Sequence, residues 1–556
     1  MTDALERIHL QIMWDRLISV VEEQAQTLMR AAFSPIVREC GDISAGIFDL
    51  EGRMMAQAVT GTPGHINTMA NSVRHLIRHF PPGEARPGDL WVTNDPWIGA
   101  GHLNDFVLVK PCFLDGEVIG LNACTSHLAD IGGRSFGPEA ADVHEEGMYI
   151  PPLRLIESGE INSTLMSLLR ANSRVPVQNE GDLYALIACC EVGEERLADM
   201  MREFSLASLG GLSDHIIDTS REATRERLRS WPSGSWSNEM MVDGYEFEIR
   251  IAAHLTISDG SLTIDFTGSS PASRYGINCP LTYSEAYTVF GLKCVIAPDI
   301  PNNAGALEPF RVTAPEGSIM NATKPAPVVM RHIVGQLLPD AALGCLHRAR
   351  PGSVPAEGTS VLWDLSLRGG FGIYHSSGQT RFALEMVHNG GTGARPSSDG
   401  LDATAFPSGV IGTQVELAES VAPLIVWRRE LRPDSGGAGR HRGGHGQIIE
   451  VGSAENATLQ IAAAFDRVTF PARGRDGGSN GACGTVRLSS GRHLNGKGEQ
   501  DIPPDETLRI ETPGGGGYGD PAARDPGLIA ADLKSGLVTP AAARRDYGYR
   551  HGTASN

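Results

Sequence analysis

The 556-residue sequence contains no run of about 18 uninterrupted apolar residues, so it offers no transmembrane helix. The opening MTDALERIHLQIMWDRL carries acids early and lacks a basic stretch followed by an apolar block, so a secretory leader is not expected. Cysteine is sparse. There are nine, an odd number with no CxxC pair, and they read as reduced thiols of a cytoplasmic protein; Cys189 and Cys190, inside the apolar DLYALIACC, read as packing residues. Basic charge is also short: 47 Lys and Arg stand against 66 Asp and Glu, a net charge of -19. That balance argues against a nucleic-acid backbone or an anionic membrane as partner. No repeat of solenoid period is present, and neither GxSxG nor HExxH occurs.

Nucleotide motifs fail as well. Gly491 to Lys497 spells GxxxxGK, but Gly498 stands where the Mg²⁺-binding hydroxyl belongs, and Pro503 and Pro504 follow where a helix should start. Gly514 to Gly519 formally fits GxGxxG, yet too little chain follows for a βαβ unit. Close backbone packing is the better role for that glycine cluster. The chain therefore shows no ATP site of its own.

Hydrophobic residues make up 41% and charged residues 20%, enough apolar material for large cores and three or four units at about 150 residues each. The 66 glycines and 34 prolines point to many turns and short strands. Apolar spacing predicts a long helix over residues 5–33, two strands around a turn at Glu51 and Gly52, and a helix over 66–80. Strands follow from 88 to about 125, with a turn at Asp115 and Gly116. Residues 180–230 read as helical, and a hairpin is expected at Asp259 and Gly260. Helices are expected near 282–296, 326–347 and 526–536. The expected fold is mixed α+β with several sheets: an α/β region over 1–178, a helical segment over 179–231 and a glycine-rich β region over 232–556, the three being either separate or one interwoven body.

Two HLxD elements stand out, His102 to Asp105 and His127 to Asp130, at the two ends of the 105–127 hairpin. With Asp115 and Gly116 as a two-residue turn, Asp105 faces Ser126 and Asn104 faces His127. The hairpin then delivers two imidazoles and a carboxylate to one end of a sheet. Two His nitrogens and a carboxylate oxygen suit a divalent Mn, Fe or Zn ion with positions left for water or substrate. The alternative is strand capping by hydrogen bonds. Asp42 stands at the mouth of the next strand, where a carboxylate either ligates or closes a turn. His65 reads as a helix-start residue, and Asn94 and Asp95 as a turn. His144 lies beside Glu145 and Glu146, which are either general bases or surface charge.

The chain resembles the B-type subunit of the hydantoinase/5-oxoprolinase family, which is related to the large subunit of acetone carboxylase. GDISAGIFDLEGRMMAQ, GDLWVTNDPWIGAGHLNDFVLVKPCF, SHLADIGG, EEGMYIPPLRL, NSRVPVQNEGDL, DFTGSSP, RRELRPDSGGAGRHRGGHG and TPGGGGYGDP carry the resemblance. It implies a divalent metal on His102, Asp105 and His127 with Asp42 as fourth ligand, and Asp130, Glu146 and His144 as nearby groups for proton transfer. Asn104 departs from the proline of the family's GGTHLPD. The resemblance further implies a partner, an A-type ATPase subunit in a heterotetramer, that uses ATP and Mg²⁺ to phosphorylate the carbonyl oxygen of a hydantoin- or oxoproline-like ring. This chain would complete hydrolysis at its metal. The rival readings are a ketone carboxylase subunit, a scaffold for the ATPase, and a metal hydrolase that works without ATP.

Overall fold

A computed structural model of the chain describes residues 2–134, 136–370 and 379–550. The opening periodicity becomes helix α1 (Thr2–Ala31), which buries Leu17, Val21 and Leu28. A one-turn helix, α2 (Pro35–Arg38), leads into strands β1 (Ile43–Phe48) and β2 (Met54–Gln57) around the expected turn. Next come α3 (Pro63–His79), β3 (Leu90–Thr93), β4 (Asp105–Leu114), β5 (Glu117–His127), a short α4 (Val143–Glu146), β6 (Leu153–Glu157) and β7 (Glu160–Ile161). The seven strands form one sheet in the order β2-β1-β5-β4-β3-β6-β7. Side chains alternate across it, as a period of two requires. Phe106 and Leu108 enter a core shared with α1, while Val107 and Val109 enter one shared with α3.

Helices α5 (Ser163–Asn172), α6 (Pro176–Glu203) and α7 (Gly210–Arg229) follow. Leu186, Cys189, Cys190, Leu197 and Ile216 share the core of the first sheet, whereas Leu228 and Trp231 enter the core of the sheet that follows. All nine cysteines are free thiols, seven of them buried. A second sheet, β11-β10-β9-β8, is built from β8 (Gly234–Val242), β9 (Ile249–Ser258), β10 (Ser261–Asp265) and β11 (Phe310–Thr313). It packs on α8 (Leu281–Ile296) and on a later helix (Leu338–Ala349). Residues 326–331, expected to be helical, run instead as an irregular strap. Pro325 and Pro327 remove backbone donors and disfavour the helical conformation of the residues before them.

Two four-stranded sheets close the fold around one core containing Trp363, Phe465 and Ile510. One contains β12 (Trp363–Gly369) and β13 (Phe382–His388); these two strands reach back over the end of the first sheet. The expected C-terminal helix is Pro526–Lys534, and a further helix, Pro540–Tyr547, follows it. The glycine cluster packs backbone on backbone. The amide of Gly515 donates to Gly444 O, that of Gly437 to Gly515 O, and that of Gly516 to Glu357 O. A Cβ on Gly515 would lie 1.9 Å from Thr392 O, so no larger residue fits there. Among the described residues no helix is long and apolar enough to cross a membrane.

Candidate metal centre

The 105–127 hairpin turns at Asp115 and Gly116, both with positive φ, as a two-residue turn that matches strand twist requires. Its register differs from simple counting. Leu114 faces Glu117 and Phe113 faces Val118, but Cys112 faces Gly120, leaving Ile119 as the extra residue of a bulge. A bulge shifts every later pair by one. Asp105 therefore stands opposite His127, where the unbulged count put Ser126. β1 runs along the other side of β5, pairing Ile43 with Ser126, and the backbone amide of His127 points at Asp42 O at 3.5 Å. Three adjacent strand ends thus present Asp42, His127 and Asp105.

His102 arrives from the loop before β4. Asn94 pins that loop: its amide donates to Leu103 O at 2.7 Å and Met148 O at 2.9 Å, and its oxygen accepts from the amide of Ile150. His102 Nε2 lies 2.6 Å from Asp105 Oδ1, and His127 Nδ1 lies 3.4 Å from the same oxygen. One ligand atom from each of the three residues falls within 4.8 Å of the others, and all three side chains are buried. Despite their closeness, His102 Nε2 and Asp105 Oδ1 are misaligned and make no hydrogen bond. Buried polar atoms facing one another without a shared hydrogen are what a cation would satisfy.

The remaining atoms of the trio are held from behind. His102 Nδ1 lies 3.0 Å from both Val329 O and Arg331 Nη1; donating to the carbonyl leaves Nε2 bare. His127 Nε2 faces Glu385 Oε2 at 3.4 Å, an ion-pair contact without an aligned hydrogen bond. A metal-binding imidazole needs such an acceptor on its other nitrogen to fix tautomer and ring orientation. Arg331 donates to Asp105 Oδ2 at 2.6 Å and to Ala100 O at 2.6 Å, and His65 Nε2 approaches Asp105 Oδ2 at 3.0 Å. Oδ1 is thereby left as the ligand oxygen. Phe136 packs edge-on to both imidazoles at 5.8 and 5.3 Å and stacks on His332.

The electrostatics agree with this arrangement. Burial, then the Arg331 charge, lowers the pKa of His102 to about 3, keeping it neutral. Burial opposes ionisation of Asp105, but His102, His65 and Arg331 hold it well below the usual carboxylate range. Burial likewise opposes charge on His127, yet Glu385 and Asp105 lift its pKa well above the ordinary value. A positive charge is therefore favoured beside His127. The surrounding cavity, about 30 Å³, is also lined by Asp42, His332 and Asp364. Burial, then Glu385, push Asp364 well above the usual carboxylate range, and its Oδ1 has no hydrogen-bond partner among the described residues.

Asp42 lines the cavity but turns its carboxylate to Thr62, which donates at 2.9 Å, and to His65 Nδ1 at 3.5 Å. Asp130, Glu146 and His144 are not brought to the cavity. Asp130 accepts from the Arg174 backbone and guanidinium and from the amide of Gly132. His144 is exposed on α4. Glu146 is buried behind His102, where its Oε1 accepts from the amides of Val328 at 2.5 Å and Val329 at 2.8 Å. It clamps the strap whose Val329 carbonyl holds His102. Burial pushes the Glu146 carboxyl up to about 8, against the pull of those two amides. Sequence reading took His65 as a helix start only and did not raise Arg331, Asp364 or Glu385. The last three lie in segments with no local motif.

The family's sequence model, described as hydantoinase B/oxoprolinase, matches residues 6–521. The chain belongs to the hydantoinase B/oxoprolinase family. An uncharacterized protein of Methanocaldococcus jannaschii is 31% identical over 98% of this chain and 96% of its own length. The caprolactamase subunit beta of Pseudomonas jessenii is 28% identical over 98% of this chain and 96% of its own. The crystal structure of the ATP-dependent caprolactamase from that organism superimposes with a TM-score of 0.90 at 26% identity, covering 99% of this chain and 97% of the other. A nucleotide-free acetone carboxylase shares the fold, with a TM-score of 0.83 at 20% identity over 99% of this chain and 80% of its own. The α+β, multi-sheet architecture is thus that of the family, whose members include ATP-dependent enzymes acting on cyclic amides.

Proposed function

We propose that this chain is the metal-bearing B-type subunit of an ATP-dependent amidohydrolase that opens a small cyclic amide of the hydantoin, oxoproline or lactam kind. The observation that carries the reading is the convergence of His102 Nε2, Asp105 Oδ1 and His127 Nδ1 in a buried cavity, with two of those atoms lacking hydrogen bonds. His102, Asp105 and His127 would hold the ion, and Asp42 on the same wall would join them. A divalent Zn, Mn or Fe ion bound there supplies Lewis acidity and lowers the pKa of water toward about 7.

An amide resists water because resonance weakens the carbonyl as an electrophile and makes the nitrogen a poor leaving group. Phosphorylation of the carbonyl oxygen removes that resonance. Because the sequence carries no nucleotide motif, we ascribe this step to an A-type ATPase subunit, with which the chain would form a heterotetramer. In this chain, Glu385 and the Val329 carbonyl keep the imidazoles oriented, and Arg331 keeps Asp105 ionised and turned to one side. Asp364, protonated and facing the cavity, supplies the proton that the ring nitrogen takes up as its bond to carbon breaks. One water adds its oxygen to the carbonyl carbon and a second releases the phosphoryl group as inorganic phosphate, so that cyclic amide, ATP and two waters balance against ring-opened acid, ADP and phosphate.

The test is co-expression with the ATPase-type subunit, followed by ADP formation against a panel of hydantoins, oxoproline and lactams, with ketones plus bicarbonate alongside. Ring-opened product matching ADP is expected. ADP formation that needs a ketone and bicarbonate, with every cyclic amide inert, would replace this reading by ketone carboxylation.

A further inference from the structure

A cavity of about 330 Å³ lies against the same two helices as the metal centre, and no residue lines both. From α3, His65 faces the metal centre while Asn67, Asn71 and Arg74 face this cavity; from α8, Tyr283 and Tyr287 face the metal centre while Thr282, Glu285 and Val289 face this cavity. At 3.6 residues per turn these are different faces of each helix. The turn before β2, α7 and the segment 304–310 complete the wall.

Three guanidiniums and two carboxylates line the cavity, and most are committed elsewhere. Arg53 donates to Asp49 at 2.6 Å and Asp214 at 2.9 Å, and Arg221 donates to Glu308 and Asp218, both at 2.6 Å. The amides of Asn67 and Asn71 donate to Ala286 O and Ile98 O. Two charges are left over. Arg74 donates through Nε to Ala70 O of its own helix at 3.2 Å, and its terminal nitrogens make no hydrogen bond or ion pair among the described residues. Glu285, exposed like Arg74, accepts no hydrogen bond and makes no ion pair there. The walls around Glu285 raise the pKa of its carboxyl, and the pull of the more distant Arg74 does not offset them. One turn before Glu285, Thr282 Oγ1 is buried without a hydrogen-bond partner among the described residues. Val289, Leu307 and Phe310 supply apolar wall.

We propose that this cavity binds an amino-acid zwitterion, with its carboxylate on Arg74, its ammonium on Glu285 and its carbon chain against the apolar wall. A guanidinium and a carboxylate held apart by the helices that carry them each lack a counter-ion, and one molecule bearing both charges serves the two together. A simple anion or a simple amine satisfies one and leaves the other. Two sources supply this chemistry: an α-amino acid with an apolar side chain, or the ω-amino acid that a lactam becomes on ring opening. Only the second depends on the amidohydrolase reading; the site itself stands on its own side chains.

Leucine and ε-aminocaproate are the probes, with isocaproate and isoamylamine as analogues that each lack one charge. Each is titrated by calorimetry into the full-length, metal-loaded chain. At least one zwitterion is expected to bind saturably, at least about tenfold more tightly than either analogue. Arg74→Met should weaken zwitterion binding about tenfold and leave isoamylamine unchanged, whereas Glu285→Gln should weaken it similarly and leave isocaproate unchanged. Both positions are exposed and apart from the metal cavity, so metal content should match the wild-type chain. Leucine ahead of ε-aminocaproate marks the α-amino acid as the source, and the reverse order marks the ring-opened product. No saturable binding of either zwitterion, an analogue that binds as tightly, or zwitterion affinity unchanged in both variants overturns the proposal. The same chains are assayed for turnover in complex with the ATPase subunit. Inert cyclic amides with leucine binding lost in the variants sink the amidohydrolase reading and leave the site; ring opening without zwitterion binding does the opposite.

Discussion

Glu146 separates a proton-transfer role from a scaffolding role, and the two lead to opposite mutant behaviour. Its Oε1 accepts from the amides of Val328 and Val329, while its buried Oε2 has no hydrogen-bond partner among the described residues. With a pKa of about 8, about nine-tenths of the carboxyl is neutral at pH 7. Glu146→Gln keeps an oxygen for both amides and places its NH₂ where the neutral acid already has an unpartnered hydroxyl. Metal affinity at pH 7 should then change less than about threefold. Glu146→Ala leaves two buried amides without an acceptor, at about 1–3 kcal/mol each, and releases the strap that holds His102 Nδ1. Loss of such support costs about 10- to 100-fold in metal affinity. Competition for Zn²⁺ against a chromogenic chelator reads both variants. Stability gives a second test. The unfolded chain releases this proton from about pH 4.5 upward and the folded chain only near pH 8. The group's contribution is therefore complete below pH 4.5 and falls, by at most about 1.4 kcal/mol per pH unit, as pH rises to about 8. Glu146→Gln should lack that slope in denaturant titrations. Glutamine as damaging as alanine, or alanine with wild-type metal affinity, would refute the clamp.

Other residues carry equally direct expectations. Asp105→Asn should strip the metal and leave the Arg331 charge buried without its partner, destabilising the chain by about 3–5 kcal/mol; metal content by mass spectrometry and a urea midpoint check both, and retained metal would discredit the ligand assignment. His127 favours a proton between Asp105 and Glu385, so the ion must displace it. Apparent metal affinity should weaken as pH falls, by up to about tenfold per unit, and a flat profile between about pH 6 and 8 would count against His127 as ligand. Asp364→Asn should bind metal normally yet lower kcat by about 100-fold or more, since the amide cannot release a proton to the ring nitrogen; unchanged kcat removes Asp364 from the reaction. Gly515→Ala should fail to fold or express as soluble chain, because its Cβ meets Thr392 O at 1.9 Å, whereas Gly211→Ala, with open space around it and no positive φ, should express normally.

What the sequence made legible follows from how far apart the cooperating residues lie. The hairpin announces itself because two strands, a turn with two positive-φ residues and both HLxD elements fall within thirty residues of one another. The bulge at Ile119 did not, because an extra residue in a strand leaves the alternation of apolar side chains readable on either side of it. The glycine cluster was legible as close packing because nothing but glycine tolerates carbonyls at 2 Å from a Cβ position. The helix expected over 326–347 failed at its first turn, where two prolines outweigh apolar spacing.

The same distance explains why the candidate ligands were legible in the sequence and the groups around them were not. A metal ligand is typically His, Asp, Glu or Cys, and two of the three candidates here face each other at the open end of one hairpin. What supports them need only be an acceptor or a cation in the right place. Val329 acts through a backbone carbonyl, Arg331 through a guanidinium on the same strap, and Glu385 from a strand in a different sheet, each more than 200 residues from the ligand it holds. No spacing rule connects such partners, because the fold alone brings them together. These groups therefore tie the candidate site to the core of the second sheet, through Val329, and to the core around Trp363, through β13. A change at the strap or at β13 should alter metal binding with every ligand intact, and an apparently intact HLxD pair is not sufficient sign of a working site in a chain whose second half has drifted.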